Sequence, residues 1–209
     1  LYPDEAHFHA LRGDIRLSAD KYDMAITNYN RAINRRDDFF YYHLQRGLAK
    51  NELGQSDGAE ADLNRSIELL PTAPAHYTLG KIATKRGNTA KAIEHYKVVA
   101  ATGGDYGLAA TSALLKLDLP ANPGNYIPTA CGIDADGSIV ASIRNDTAAQ
   151  IENVRIVVNY YDAAGRPVSR QQSISGTIAP GRVASLNTGI RAANARPRSF
   201  RRNWLTRIR

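Results

Sequence analysis

Cysteine, methionine and tryptophan occur once each in these 209 residues. A lone Cys131 excludes an intrachain disulfide and a zinc site built from cysteines. No apolar run approaches the ~20 residues that span a bilayer. The opening Leu-Tyr-Pro-Asp-Glu lacks the basic start and apolar stretch of a secretory signal. The five histidines are His7, His9, His43, His76 and His95, and no two stand four apart with a glutamate between them. That spacing would place two ligands and a general base on one helical face. Asp134-Ala-Asp136-Gly137 lacks the downstream ligands of a calcium loop, the bidentate glutamate included, and reads as a hairpin turn. Cys131 is in phase with Ile127 and Ile133, so it is expected as a buried apolar strand residue rather than a nucleophile. No Gly-rich phosphate loop follows a strand, and no Ser/His/Asp grouping stands out. Neither catalysis nor a metal or cofactor is expected of these residues.

Acidic residues are scarce in one part only. Residues 1–121 hold 15 Lys/Arg against 15 Asp/Glu, whereas residues 122–209 hold 12 basic residues, all arginine, against 5 acidic ones. The net charge of +7 therefore resides in the second half. Such asymmetry points to two modules with different surfaces.

What is present in the first half is a repeat. Gly13, Ala25 and Tyr29 recur as Gly47, Ala59 and Leu63, and again as Gly80, Ala92 and Tyr96. A period near 34 is that of a helix–turn–helix solenoid. Small residues midway along a first helix and early on a second let the pair cross closely, and the bulky residue fills the space beside them. Ala32, Ser66 and Val99 continue the small positions. Gly54 and Gly87 mark turns, Pro71 closes the second repeat, and Asp57 with Glu60 is expected to cap its second helix. These features resemble tetratricopeptide repeats over roughly residues 3–102, as Ala6–Phe39, Phe40–Pro71 and Ala73–Gly103. His9, His43 and His76 replace the usual early aromatic and are expected to pack at that position. Asp105–Leu119 reads as a capping helix with Asp105 as N-cap and Tyr106, Leu108, Ala109, Leu114 and Leu115 available for burial. Pro3 falls where the closing proline of a preceding repeat would sit, which leads us to expect further sequence upstream.

After residue 119 the pattern changes. Pro120, Pro123, Gly124 and Pro128 interrupt any helix, and beyond them the apolar period becomes two. Strands are expected near 127–133, 138–145, 153–161, 166–176, 183–190 and 199–208, separated by turns at Asp136-Gly137, Asp162-Ala-Ala-Gly165 and Ala179-Pro-Gly181. The expected architecture is multidomain, α then β. A solenoid of three repeats plus a capping helix (1–119) leads through a linker (120–126) into a small antiparallel immunoglobulin-like β-sandwich (127–209). Val-Val-Asn-Tyr-Tyr-Asp-Ala-Ala-Gly within Val154–Gly181 resembles the FxLYD-like sandwich modules of exported bacterial proteins. The order of repeats, a Leu-Asp-Leu-Pro-x-Asn-Pro-Gly linker and this sandwich is similar to the C-terminal part of bacterial periplasmic zinc metalloproteases of the outer-membrane assembly-enhancing type. That resemblance implies a periplasmic or exported setting, with a cytoplasmic one still open, and a metal site outside these residues.

Function is expected from surfaces. Carrying the concave positions of tetratricopeptide repeats over gives His7, Ala10, Asp14, Leu17 and Ser18, then Tyr41, Leu44, Leu48, Asn51 and Glu52, then Tyr77, Lys81, Thr84 and Lys85. We take Tyr41, Leu44, Leu48, Asn51, Glu52, Tyr77, Lys81 and Lys85 as the candidate groove for a protein segment. In the metalloprotease setting that segment belongs to an upstream domain of the same chain or to an outer-membrane assembly partner. The concentrated Lys/Asn/Arg set that clamps a peptide's terminal carboxylate is missing. Arg201, Arg202 and Arg207, interleaved with Phe200 and Trp204, read as a final strand with Phe200, Trp204 and Ile208 toward the core and Arg201, Asn203 and Arg207 outward, Arg202 sharing the inner face. They are a candidate patch for an anionic partner, nucleic acid being the least favoured one. The alternatives to a protease region are a stand-alone envelope adaptor and a nucleic-acid-associated adaptor.

Overall fold

The computed structural model describes residues 5–147, 149–191 and 196–197. Pro3 and the candidate strand 199–208 with Arg201, Arg202 and Arg207 lie outside the described residues. The chain forms two compact units, residues 1–111 and 112–209.

In the first unit, α1 (Glu5–Ser18) and α2 (Tyr22–Ile33) form one hairpin, α3 (Phe40–Glu52) and α4 (Ser56–Leu69) a second, and α5 (Ala73–Lys85) and α6 (Thr89–Ala100) a third. The repeat signature works as packing. A Cβ added at Gly13 would lie 2.6 Å from the Tyr29 ring, one at Gly80 2.6 Å from Tyr96, and one at Gly47 2.9 Å from Leu63. Ala25, Ala59, Ala92, Ala32, Ser66 and Val99 are all fully buried. Each hairpin turns on a left-handed residue: Gly54 at φ 74° and Gly87 at φ 73°, with Asp20 at φ 56° filling the same place in the first repeat. Asp tolerates that region better than most non-glycine residues.

Two expected features of this unit are not found. Asp57 and Glu60 do not cap α4, whose N-cap is Gln55 with no side-chain bond. Both carboxylates instead face out of the helix and pair with Arg86, at the end of α5. The next helix, α7 (Gly104–Asp118), begins at Gly104, so Asp105 lies in its first turn rather than at its N-cap. Tyr106 and Leu108 are exposed, while Ala110, Leu114 and Leu115 are buried. The C-terminal half of α7 thus buries Leu114 and Leu115 as expected, while Tyr106 and Leu108 near its start do not bury and Ala109 is only half-buried.

The boundary between the units falls within α7. Leu119 joins the core of the second unit, and Asp118 accepts hydrogen bonds from the Tyr126 hydroxyl (2.8 Å) and the Asn122 amide (2.7 Å). Burial and the Asp118 carboxylate push the Tyr126 phenol up to about 12. The segment expected as a linker thus carries a 3-10 turn, Pro123–Asn125, and is tied to the helix before it.

The strands are β1 (Thr129–Ile133), β2 (Ser138–Arg144), β3 (Ile151–Tyr161), β4 (Pro167–Ile178), β5 (Val183–Arg191) and the short β6 (Arg196–Pro197). They form two antiparallel sheets, ordered β1-β2-β5 and β4-β3-β6. Ile139, Ala141 and Ile143 of β2, and Val154, Ile156 and Val158 of β3, point into one shared core with Ile174, Ile178 and Ile190. Asp134 Oδ1 accepts from the backbone N–H of Asp136 and Ser138, and Asp162 Oδ1 does the same for Ala164 and Arg166. Both Asp-x-x-Gly segments are side-chain-braced turns, so Asp134–Gly137 is a hairpin turn. Cys131, expected as a buried strand residue, is free and exposed, and Ile133 in the same phase is exposed as well. Among the described residues β1 pairs with β2 alone, and its Ala130 to Ile133 are all exposed.

Candidate functional site

The inner face of the first unit is built from the first helix of each hairpin, because α1 touches α3 and α3 touches α5. Of the expected groove residues, Tyr41, Leu48 and Tyr77 are half-buried, and Glu52, Lys81 and Lys85 are exposed. Leu44 and Asn51 are buried, at 6% and 9% exposure, and present almost nothing to a partner. Leu44 instead joins the core formed with Leu63, Leu79 and Ile82.

The aromatic residues of this face are held by specific contacts. The hydroxyls of Tyr29 and Tyr41 both donate to Asp14 Oδ1, at 2.7 and 3.1 Å. Burial first, and then the Asp14 charge, pushes the Tyr41 phenol up to about 12, so it remains a donor at neutral pH. The Tyr77 ring lies 5.7 Å from Tyr96 and 5.5 Å from Tyr106, the latter edge-on. Such pairs fix ring orientation beyond simple area burial. A third element of rigidity is Asp62 of α4, nearly buried, which accepts from Nε and Nη2 of Arg46 and lies 2.9 Å from Lys50. Arg46 also donates to Asn30 of α2, which ties the first two hairpins together.

The histidines pack as the repeat position implied for His43, whose Nε2 contacts the Asp37 carbonyl at 2.9 Å. A contact the sequence did not reveal joins His76 Nδ1 to His95 Nδ1 at 3.1 Å. Burial lowers both imidazoles from the ordinary value of 6.5. Among the described residues no group of three or more His, Cys, Asp or Glu side chains could hold a metal ion. Although Cys131 is exposed, partial desolvation by its surroundings raises the thiol, which does not favour the thiolate that nucleophilic work needs.

A concavity unanticipated in the sequence lies between α1 and α2. It has a volume of about 580 Å³ and is lined by Arg12, Ile15, Arg16, Met24, Thr27, Asn28 and Arg31.

A repeat of helical hairpins with small-residue crossings and a continuous wall of first helices defines a helical-repeat scaffold of tetratricopeptide type. No family model and no curated protein matches the chain. Among solved structures, the helical part is similar to the first TPR of Spaghetti (RPAP3) bound to the HSP90 peptide SRMEEVD. Identity is 22% over 54% of this chain and 89% of that one, with a TM-score of 0.50. The Sgt2 TPR domain from Aspergillus fumigatus is 21% identical over 63% of this chain and 89% of that one, with a TM-score of 0.51. MamA is 21% identical over 59% and 70% respectively, with a TM-score of 0.51. At these identities the likeness is one of fold.

Proposed function

We propose that this chain is a non-catalytic protein-interaction scaffold whose helical unit holds a segment of another protein along α1, α3 and α5. The observation that carries this reading is the continuous wall of first helices, with the oriented rings of Tyr41 and Tyr77 around Leu48 and the exposed Lys81 and Lys85 at one end. Rigid aromatic groups at partial exposure make contact at low entropic cost. The Spaghetti domain, similar in fold, is bound to a peptide, which supports the same use of this fold here. The scaffold needs no metal or cofactor of its own. In our reading the second unit is a small immunoglobulin-like sandwich, and the whole serves as the C-terminal region of an exported bacterial zinc metalloprotease in envelope protein quality control. The groove then holds an upstream domain or an outer-membrane assembly component. Arg201, Arg202 and Arg207 supply a patch for an anionic partner.

Two experiments test these two levels separately. Peptides selected on the wild-type chain from a displayed library should lose at least ~10-fold in affinity on Tyr77→Ala and on Lys81→Glu/Lys85→Glu. Selected peptides indifferent to both variants would refute the groove. For the parent, the encoding gene should specify a His-Glu-x-x-His helix ahead of these residues, and a gene without one refutes the metalloprotease assignment alone.

A further inference from the structure

His76 of α5 and His95 of α6 are brought together by the third hairpin. Gly80 lies one turn beyond His76, and Tyr96 follows His95 directly. The close crossing that sets the Tyr96 ring against Gly80 therefore also fixes the separation of the two imidazoles. Their Nδ1 atoms are 3.1 Å apart, and the rings stand 5.4 Å between centroids, tilted by 47°. The other histidines are placed differently. His43 is engaged by the Asp37 carbonyl, and His7 and His9, two apart, leave α1 in different directions.

The separation is that of two ligands on one ion. Nitrogens each ~2.0–2.1 Å from a metal and 3.1 Å from one another subtend about 100° at it, between a right angle and the tetrahedral value. The contact itself requires one Nδ1–H to donate to the other Nδ1. An ion takes the place of that proton. The donor ring then carries its proton on Nε2 instead, exchanged through solvent, both Nδ1 lone pairs turn to the metal, and neither imidazole changes charge. Both rings are half-buried, so solvent reaches them. Burial lowers both from the ordinary value of 6.5, which keeps them in the neutral, ligating form at neutral pH. Of the charges acting on the pair, Glu94 and Glu60 favour a cation, Glu60 being held by Arg86, and Lys91 opposes one.

We propose that His76 and His95 chelate a divalent transition-metal ion of the copper or zinc class through their Nδ1 atoms, cross-linking α5 to α6. Imidazole suits these ions, whereas Mg2+ and Ca2+ take oxygen ligands. Two side chains fill two positions. Among the described residues no group of three His, Cys, Asp or Glu completes a site, so water holds the remaining positions and leaves them exchangeable. The fold does not need the ion, because Gly80, Ala92 and Tyr96 already pack the hairpin. Nor does the inference rest on the groove.

The test titrates the whole untagged chain with CuCl2 and, separately, ZnCl2 in a non-coordinating buffer, with MgCl2 as the hard-cation control. The exposed Cys131 is alkylated beforehand so that its thiol cannot compete. One Cu2+ per chain should bind, more tightly than Zn2+, and Mg2+ should not bind. Copper should also raise the melting temperature of the helical unit by several degrees, since the unfolded chain does not hold the two rings together. His76→Gln and His95→Gln should each weaken copper binding at least ~10-fold, while His7→Gln leaves it unchanged. Electron paramagnetic resonance of the wild-type copper form should show coupling to two imidazole nitrogens, a readout that depends on no variant's folding. Copper binding that both variants retain overturns the inference. So does coupling to fewer than two nitrogens.

Discussion

At Gly80 one added methyl group would enter the Tyr96 ring, whereas at Gly107 of α7 the nearest neighbour is a backbone oxygen 3.5 Å away. Both residues are helical, so alanine gains about 0.5–1 kcal/mol of propensity at either place. At Gly80 overpacking of about 1–3 kcal/mol opposes that gain. Gly80→Ala should therefore destabilise the helical unit by about 1–2 kcal/mol, and Gly107→Ala should stabilise it by up to about 1 kcal/mol. Urea unfolding followed by far-UV dichroism measures both. Equal shifts would mean that propensity alone governs the two sites. These glycines could be read in the sequence because a mid-helix glycine has no local benefit and its recurrence signals a crossing. The bonds of Tyr29 and Tyr41 to Asp14 could not, since partners 15 and 27 residues apart leave no periodic trace.

Among the helices, two arginine clamps of different depth hold neighbours together. Arg46 and Lys50 of α3 share the nearly buried Asp62 of α4, whereas Arg86 meets the fully exposed Asp57 and the less exposed Glu60. Removing one partner of a buried pair strands charge without solvent, which costs about 3–5 kcal/mol, while exposed pairs contribute about 0–1 kcal/mol. Asp62→Ala should thus lose about 3 kcal/mol and Arg86→Ala less than about 1 kcal/mol, as urea unfolding would show. Comparable losses would contradict the difference in burial. Asp57 and Glu60 have the spacing of a capping pair, and that spacing misled the sequence reading. Spacing fixes where side chains emerge from a helix, but an arginine brought up from the following hairpin decides what they bind.

For the molecule as a whole, the period of 34 and the period of two delimited the helical and sheet regions, and the strands from 129 to 191 lie within a few residues of expectation. Burial on α7 and at Cys131 was less legible, because it depends on which core or which open edge the fold supplies. The His76–His95 contact was hidden for the same reason, and it gives the helical unit a dependence on pH. Burial lowers both imidazoles. For His95, His76 and Lys91 add to the lowering while Glu94 and Glu60 oppose it, and Glu94 also opposes it for His76. The unfolded chain therefore takes up protons first. The stability linked to neutral histidines is complete above the ordinary 6.5 and is lost as pH falls below it toward the folded values. The melting temperature should drop between pH 7.5 and 5, and His76→Gln/His95→Gln should reduce that drop. An unchanged slope would assign the pH dependence to other groups.

The exposed Cys131 on β1 gives the chain a single chemical address. No other thiol is present in the 209 residues. One dye, spin label or tether can therefore be placed on the sheet unit alone, and the helical unit can be watched for partners without any alteration to its faces.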